Sequence, residues 1–208
     1  MVDHFSGFPR EAFEFFRDLA THNNRDWFQA HKDVYERACR EPMRVLASTL
    51  DPIGTARLSR INRDMRFARD RAPYRTHIST GVDGFYISLS SQGVYVGTGI
   101  YKPEPAVLAR LRAAIDRDST GRALAAIVTS LRRKGYQVDT HESLTTAPKG
   151  YAAEHPRIGL LRMKDIYGGT LMATAPWLST PKALARIKRA MSDVRPLRDW
   201  VRRNVGRR

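Results

Sequence analysis

The chain opens with apolar residues at helical spacing. Phe8, Ala12, Phe15, Phe16 and Leu19 share one face, with Pro9 at a position suited to a first helical turn. His22-Asn23-Asn24 interrupts that period, and Asn24 is placed to cap a second helix whose Trp27, His31, Val34, Tyr35 and Ala38 line one side. His31 on that face reads as a histidine at the edge of the core rather than a ligand. Pro42 is expected to end or kink this helix, and Met43 to Leu50 forms another short one.

Further along, the period drops to two. Phe85, Ile87 and Leu89 alternate with Tyr86, Ser88 and Ser90; Val94, Val96 and Ile100 then alternate with Tyr95 and Gly97. Ser91-Gln92-Gly93 between them reads as a hairpin turn, and Thr76 to Thr80 supplies a neighbouring strand. Helical spacing returns at Pro105 with Leu108, Leu111 and Ile115, and again behind a Ser119 cap with Leu124, Ile127, Val128 and Leu131. Arg132, Arg133 and Lys134 complement the dipole of that helix, and Gly135 ends it.

The last third is more broken. Tyr136 to Asp139 is a strand candidate, Gly169 to Ala175 reads as a further strand or an irregular connection, and Leu160, Leu161 and Met163 belong to a short helix. Thr180-Pro181 starts a helix with Leu184, Ile187 and Met191 inward, Pro196 breaks it, and Leu197, Trp200, Val201 and Val205 anchor a last one. The pattern predicts an α+β fold: a single domain over residues 1–208, with an antiparallel β-sheet meander covered by several helices and a basic helical C-terminal segment, 181–208.

Charge changes this picture. The formal net charge is +15, and it is clustered. Residues 57–75 hold seven arginines against two aspartates, and residues 181–208 hold ten Lys/Arg against two aspartates, so the two stretches carry 13 of the 15 charges. Such clustering is the footprint of a polyanion or an anionic ligand. One cysteine, Cys39, leaves no internal disulfide and no cysteine-based zinc cluster. No apolar run approaches the roughly 18 residues of a membrane helix, and no signal peptide opens the chain, so a cytoplasmic protein without membrane contact is expected. No cofactor motif and no metal-ligand spacing occurs.

Candidate chemistry concentrates in Arg60-Ile-Asn-Arg-Asp-Met-Arg-Phe-Ala-Arg-Asp-Arg-Ala-Pro-Tyr-Arg-Thr76. Arg60, Arg63, Arg66 and Arg75, with Lys149, are the candidate anion-binding residues, because guanidinium forks take phosphate or carboxylate bidentately. Tyr74, Gly97, Gly99 and Tyr101 are candidate pocket residues; glycine inside a strand marks a bulge or a close approach by another backbone or a ligand. Asp64, Asp70 and His155 are the candidate catalytic groups. An aspartate beside arginines is held in its charged form and is a poor base near neutrality, which leaves His155 as the better proton carrier. The Pro148 to Pro156 segment has neither helical nor strand period, so something other than packing is expected to fix it.

The same arginine stretch resembles the signature of an uncharacterised family, domain of unknown function 2461, widespread in bacteria and also found in fungi. The resemblance extends to Phe5-Ser-Gly-Phe8, Asn23-Asn24 with Trp27-Phe28, Gly97-Thr-Gly-Ile-Tyr101 with Pro103-Glu-Pro105, and Ala147-Pro-Lys-Gly-Tyr151 with His155-Pro156. Together these span about residues 5 to 200. Thr98 within the glycine stretch and Glu154, where aspartate is usual, are mild departures. The resemblance implies a single cytoplasmic α+β domain and supplies no activity.

Three functional readings follow. The first is binding of an anionic ligand or nucleic acid, with Tyr86, Tyr95 and Tyr101 as stacking surfaces and the basic C-terminal segment adding backbone affinity. The second is an enzyme acting on a small phosphorylated or carboxylated substrate, with Lys149 and His155 closing over the arginines. The third is a structural ion-pair network of Arg60, Arg63, Arg66, Asp64 and Asp70 that ties helices to sheet.

Overall fold

The phenylalanine-rich period forms α1 (Arg10–Thr21), which buries Ala12, Phe13, Phe15, Phe16 and Leu19. Asn24 caps α2 (Arg25–Ala30) as its position predicts, its Oδ1 accepting the Trp27 amide at 2.9 Å. This computed structural model describes residues 4–64 and 72–206.

Pro42 was expected to end or kink its helix, and it does not end it. The backbone stays helical through α3 (Lys32–Val34), a π-helical turn (Tyr35–Arg40) and α4 (Glu41–Leu50). The ring falls in the first turn of α4, directly after the wide turn, where a missing N–H disturbs the hydrogen-bond ladder least.

The expected meander is present in a six-stranded antiparallel sheet. Its strands are β1 (Arg57–Leu58), β2 (His77–Val82), β3 (Phe85–Ser90), β4 (Gly93–Ile100), β5 (Gln137–Asp139) and β6 (Ile166–Ala173), in the order β1-β2-β3-β4-β6-β5. β2 and β3 pair from His77↔Ser90 to Val82↔Phe85 around Asp83-Gly84, both with positive φ, the primed-turn geometry that suits strand twist. The Thr76–Thr80 and Tyr136–Asp139 expectations correspond to β2 and β5, and the Gly169–Ala175 strand begins earlier, at Ile166.

Contacts divide the chain into two compact units: Met1–Val96 with Leu171–Arg189, and Gly97–Thr170 with Ala190–Arg208. In the first, Phe15 lies 5.4 to 5.7 Å from the Phe16, Trp27 and Tyr35 rings, and Ile78, Ile87, Leu89, Val94 and Val96 are buried from the sheet. In the second, α5 (Pro105–Asp116) opens at Pro105 as expected, and α6 (Asp118–Arg133) begins after Arg117 rather than on a Ser119 cap. Leu111, Ile115, Leu124 and Leu131 are buried there. α7 (Ile158–Leu161) completes its short helices.

The last helix, α8 (Lys182–Asn204), runs straight through Pro196, where a break was expected. Val194, Leu197 and Trp200 around it are buried, and the Trp200 indole donates to the Thr120 carbonyl at 2.8 Å. Pro196 itself is exposed, so its ring points away from this anchored face and the helix forfeits only the proline's own hydrogen bond.

Gly99 of β4 allows a close approach by the neighbouring strand. Its φ is +150°, and a Cβ there would overlap the Ile166 carbonyl oxygen of β6. Gly99→Ala is therefore expected to cost more than Gly135→Ala, whose Cβ meets nothing within 4 Å and which should lose only the roughly 1–2 kcal/mol of left-handed backbone. Thermal denaturation of the two variants checks the order.

Candidate functional site

The arginine segment returns on itself within the first unit. Asn62 and Tyr74 form an antiparallel bridge, the Arg63 amide donates to the Pro73 carbonyl at 2.8 Å, and the Arg75 amide donates to the Ile61 carbonyl at 2.8 Å. Arg63 is half-buried, its guanidinium donating to the Ala72 carbonyl at 3.2 Å. Arg60, Asp64 and Arg75 are exposed. Arg66 and Asp70, also expected in the site, lie outside the described residues.

The Asn23-Asn24 pair explains how this loop is held. Asn24 starts α2, whereas Asn23 turns its amide onto the Tyr74 backbone, donating Nδ2–H to its carbonyl at 2.9 Å and accepting its N–H at 3.0 Å. Tyr74 stacks on Phe28, with centroids 4.1 Å apart and planes 20° apart. Trp27 lies stacked with both His31 (4.1 Å) and His22 (6.0 Å), and His31 Nδ1 is 2.7 Å from the Trp27 carbonyl. His31 is thus a packing residue at the edge of the core.

Beside this stack opens a cavity of about 410 Å³, a size suited to a small ligand. Lys32, Glu36 and Arg40 come from the helical side, Arg60, Asn62 and Tyr74 from the returning segment, with Phe28 and Tyr35 between. Burial pushes the Tyr35 hydroxyl well above its ordinary range, so it stays protonated. Arg40 pairs with Glu36 at 2.9 Å, while Lys32 and Arg60 have no acidic partner among the described residues. Among the described residues, three cations against one carboxylate line this cavity and leave that part of its wall positive. A second cavity of the same unit, about 560 Å³, has Arg10 and Arg17 in its wall, but Glu14 and Asp18 already take those guanidiniums at 2.8 and 3.3 Å.

Lys149, His155, Gly97, Gly99 and Tyr101 belong to the second unit. Lys149 and Tyr101 are exposed and Gly97 is buried. Hydrogen-bonded turns fix the Pro148–Pro156 stretch: the Tyr151 amide donates to the Pro148 carbonyl at 3.1 Å and the His155 amide to the Ala152 carbonyl at 3.2 Å. Both ring nitrogens of His155 are engaged. Nδ1 accepts the Arg157 amide at 3.1 Å, so Nε2 carries the proton and faces the Asp116 carboxylate at 3.3 Å. The side chain is 14% exposed, and this pairing is that of a structural histidine.

Arg157, passed over in the sequence, is the residue that secures this corner. Its buried guanidinium donates to the Ile115 and Asp116 carbonyls, at 2.8 and 2.7 Å, and to Asp118 at 2.9 Å. It satisfies the end of α5 and sits against its negative dipole. His141 and Asp165 were also unforeseen: 24 residues separate them, and no spacing links them. Asp165 is buried, with its carboxylate oxygens 2.7 Å from the Thr140 hydroxyl, 2.8 Å from the His141 amide and 3.0 Å from His141 Nδ1. Among the described residues no group of three or more His, Cys, Asp or Glu could hold a metal ion. No described helix is long and apolar enough to cross a membrane.

Fold and site together define an α+β protein with a positively charged cavity against an arginine-rich returning segment. A family described as conserved hypothetical protein (DUF2461) matches residues 11–200, and the chain belongs to that family. No curated protein and no solved structure matches it.

Two outcomes are expected. Arg157→Ala should cost about 2–3 kcal/mol, because it orphans two helix-end carbonyls, and urea denaturation with an unchanged m-value measures this. The second concerns acid stability. Burial alone would raise Asp165, but hydrogen bonds from Thr140, the His141 amide and ring, and the Lys102 amide outweigh it and hold the carboxyl below its ordinary range. A depressed folded value stabilises fully above the unfolded value of about 3.9 and is lost as pH falls through the folded one. Thr140→Val removes one of those bonds, so its acid-unfolding midpoint should lie at higher pH than that of the parent chain.

Proposed function

We propose that the cavity of the first unit binds a small anionic ligand, a phosphate or carboxylate carried on a planar body. The observation that carries this reading is the pair Lys32 and Arg60, without an acidic partner among the described residues, lining one cavity of about 410 Å³ together with Tyr74. Guanidinium and ammonium groups supply charge-assisted hydrogen bonds to the anion, and the Phe28–Tyr74 stack supplies apolar surface for the rest of the ligand. Arg63 contributes through its guanidinium, whose bond to the Ala72 carbonyl ties the segment of Arg60 to the residues just before Tyr74. Arg75 and Lys149 remain anion-binding candidates by charge and exposure, and Asp64 reads as a local balance of that charge.

A nucleic-acid ligand is the second reading, supported by Tyr86 and Tyr95 in the same unit. Their rings are 6.3 Å apart, and Tyr86 is 41% exposed. Aromatic platforms of this kind stack bases without sequence preference.

Calorimetric titration with AMP and with a labelled single-stranded oligonucleotide, across a salt series, separates the outcomes. AMP binding that falls with salt and weakens about tenfold in Arg60→Ala, the size of one charge-assisted hydrogen bond of about 1.5 kcal/mol, supports the small-anion pocket. Much tighter oligonucleotide binding that Tyr86→Ala weakens supports the nucleic-acid reading. Binding of neither at low salt overturns both.

A further inference from the structure

The second unit contains a different constellation, independent of the cavity above. The paired backbone of β5 and β6 continues beyond their ends: the Lys164 amide donates to the Glu142 carbonyl and the Leu144 amide to the Arg162 carbonyl, each at 2.9 Å, and Ser143 bridges Met163. Thr140, His141 and Asp165 sit on this stiff ladder. Asp165 is buried and carboxylate oxygens only accept, so His141 Nδ1 carries the hydrogen directed at it, 3.0 Å away. The Tyr101 and Tyr167 rings flank the imidazole, at 4.7 and 4.6 Å between centroids.

The other edge of the ring is left open. The His141 side chain is 46% exposed, and Nε2 has no partner among the described residues. In the neutral tautomer that Asp165 selects, Nε2 presents a bare lone pair outward. His155, the other acid-paired histidine of this unit, uses both nitrogens internally and is 14% exposed. A histidine needed only to tie the turn would not require an outward-facing base, and Asp165 already binds that turn through the His141 amide.

We propose that His141, positioned by Asp165, is a proton-accepting catalytic site that activates water toward an uncharged carboxylic ester. Nε2 takes a proton from water as the water oxygen bonds to the carbonyl carbon. The imidazolium so formed faces the Asp165 carboxylate, which stabilises it. It then returns the proton to the departing alkoxide oxygen as the carbon–oxygen bond breaks, leaving acid, alcohol and the original imidazole. The surroundings favour a neutral electrophile over a phosphate dianion. The Asp165 carboxylate faces the imidazole, Asp139 and Asp165 both act on Tyr167 beside it, and Lys164 is neutralised by Glu142 at 2.8 Å. Lys102, whose ammonium lies 5.3 Å from the Tyr101 centroid, supplies positive charge beside a developing oxyanion.

The test uses the whole chain and ethyl dichloroacetate, an ester whose ethoxide is too poor a leaving group for imidazole to displace directly. Its hydrolysis therefore reports proton abstraction from water. His141→Asn keeps an amide N–H at the position of Nδ1, so the Asp165 bond and the fold are retained, as circular dichroism would verify, while the outward base is removed. The parent chain is expected to exceed an equal concentration of 4-methylimidazole at least tenfold and to be slowed in D2O. His141→Asn should lose that excess, while His155→Asn keeps it. A parent rate no greater than that of 4-methylimidazole, an unchanged rate in His141→Asn, or the absence of a solvent isotope effect would each overturn the proposal.

Discussion

Two hydrogen bonds between one side-chain amide and the backbone of one residue hold the first unit's candidate site together. Asn23, at the break between α1 and α2, grips both the N–H and the carbonyl of Tyr74, 51 residues away. The grip fixes Tyr74, at the end of the arginine-rich segment, against the break between α1 and α2. Once Tyr74 is placed, its ring stacks on Phe28, the bridge to Asn62 follows, and Arg60 is presented beside Lys32. An amide suits this task, because it offers a donor and an acceptor on separate atoms and satisfies a buried donor and a buried acceptor at once, where a carboxylate could only accept.

The positive charge of the chain does not all serve one purpose. Along α8, Arg198 is 8% exposed and held by Asp199, while Arg186 lies over the Trp177 ring at 4.1 Å. Lys134 at the end of α6 reaches Asp193 at 2.6 Å, beside the Tyr136 hydroxyl. These cations are committed to packing and pairing, so the C-terminal excess overstates the charge available to a partner. In the cavity of the first unit the proportion is reversed, with one acidic side chain and three basic ones among the described lining residues. Local neutralisation, rather than net charge, separates a ligand site from a solvated helix face.

Much of the fold was legible because periodicity reports burial. Phe85-Ile87-Leu89 and Val94-Val96 alternate as half-buried strands must, and the Phe15 and Leu124 faces repeat as helices must. The errors fall where tertiary contacts override a local rule. Pro196 should break a helix, yet Val194, Leu197 and Trp200 anchor both sides of it; Pro42 is tolerated because a π-helical turn precedes it. The candidate site was legible in part. Arg60 and Tyr74 meet at a cavity, but their helical partners Lys32 and Arg40 lie 20 residues or more upstream in a stretch that reads as ordinary amphipathic helix. His141 and Asp165 carried no signal, because their pairing depends on the register of β5 against β6, which periodicity does not specify.

The two acid-paired histidines of the second unit show why residue type alone could not assign roles. His155 sits in a polar, turn-rich segment and invites a catalytic reading, yet Arg157 and Asp116 take both its nitrogens and its ring is largely covered. His141 sits in an equally undistinguished turn, and there a single buried carboxylate takes one nitrogen while the Tyr101 and Tyr167 rings flank the imidazole. Opposite uses arise from the same imidazole according to how many of its two nitrogens the fold consumes. A histidine becomes available for proton transfer when the chain satisfies one nitrogen firmly and leaves the other to solvent. Asp165 meets the first condition through its burial and its several donors, and the exposure of His141 meets the second.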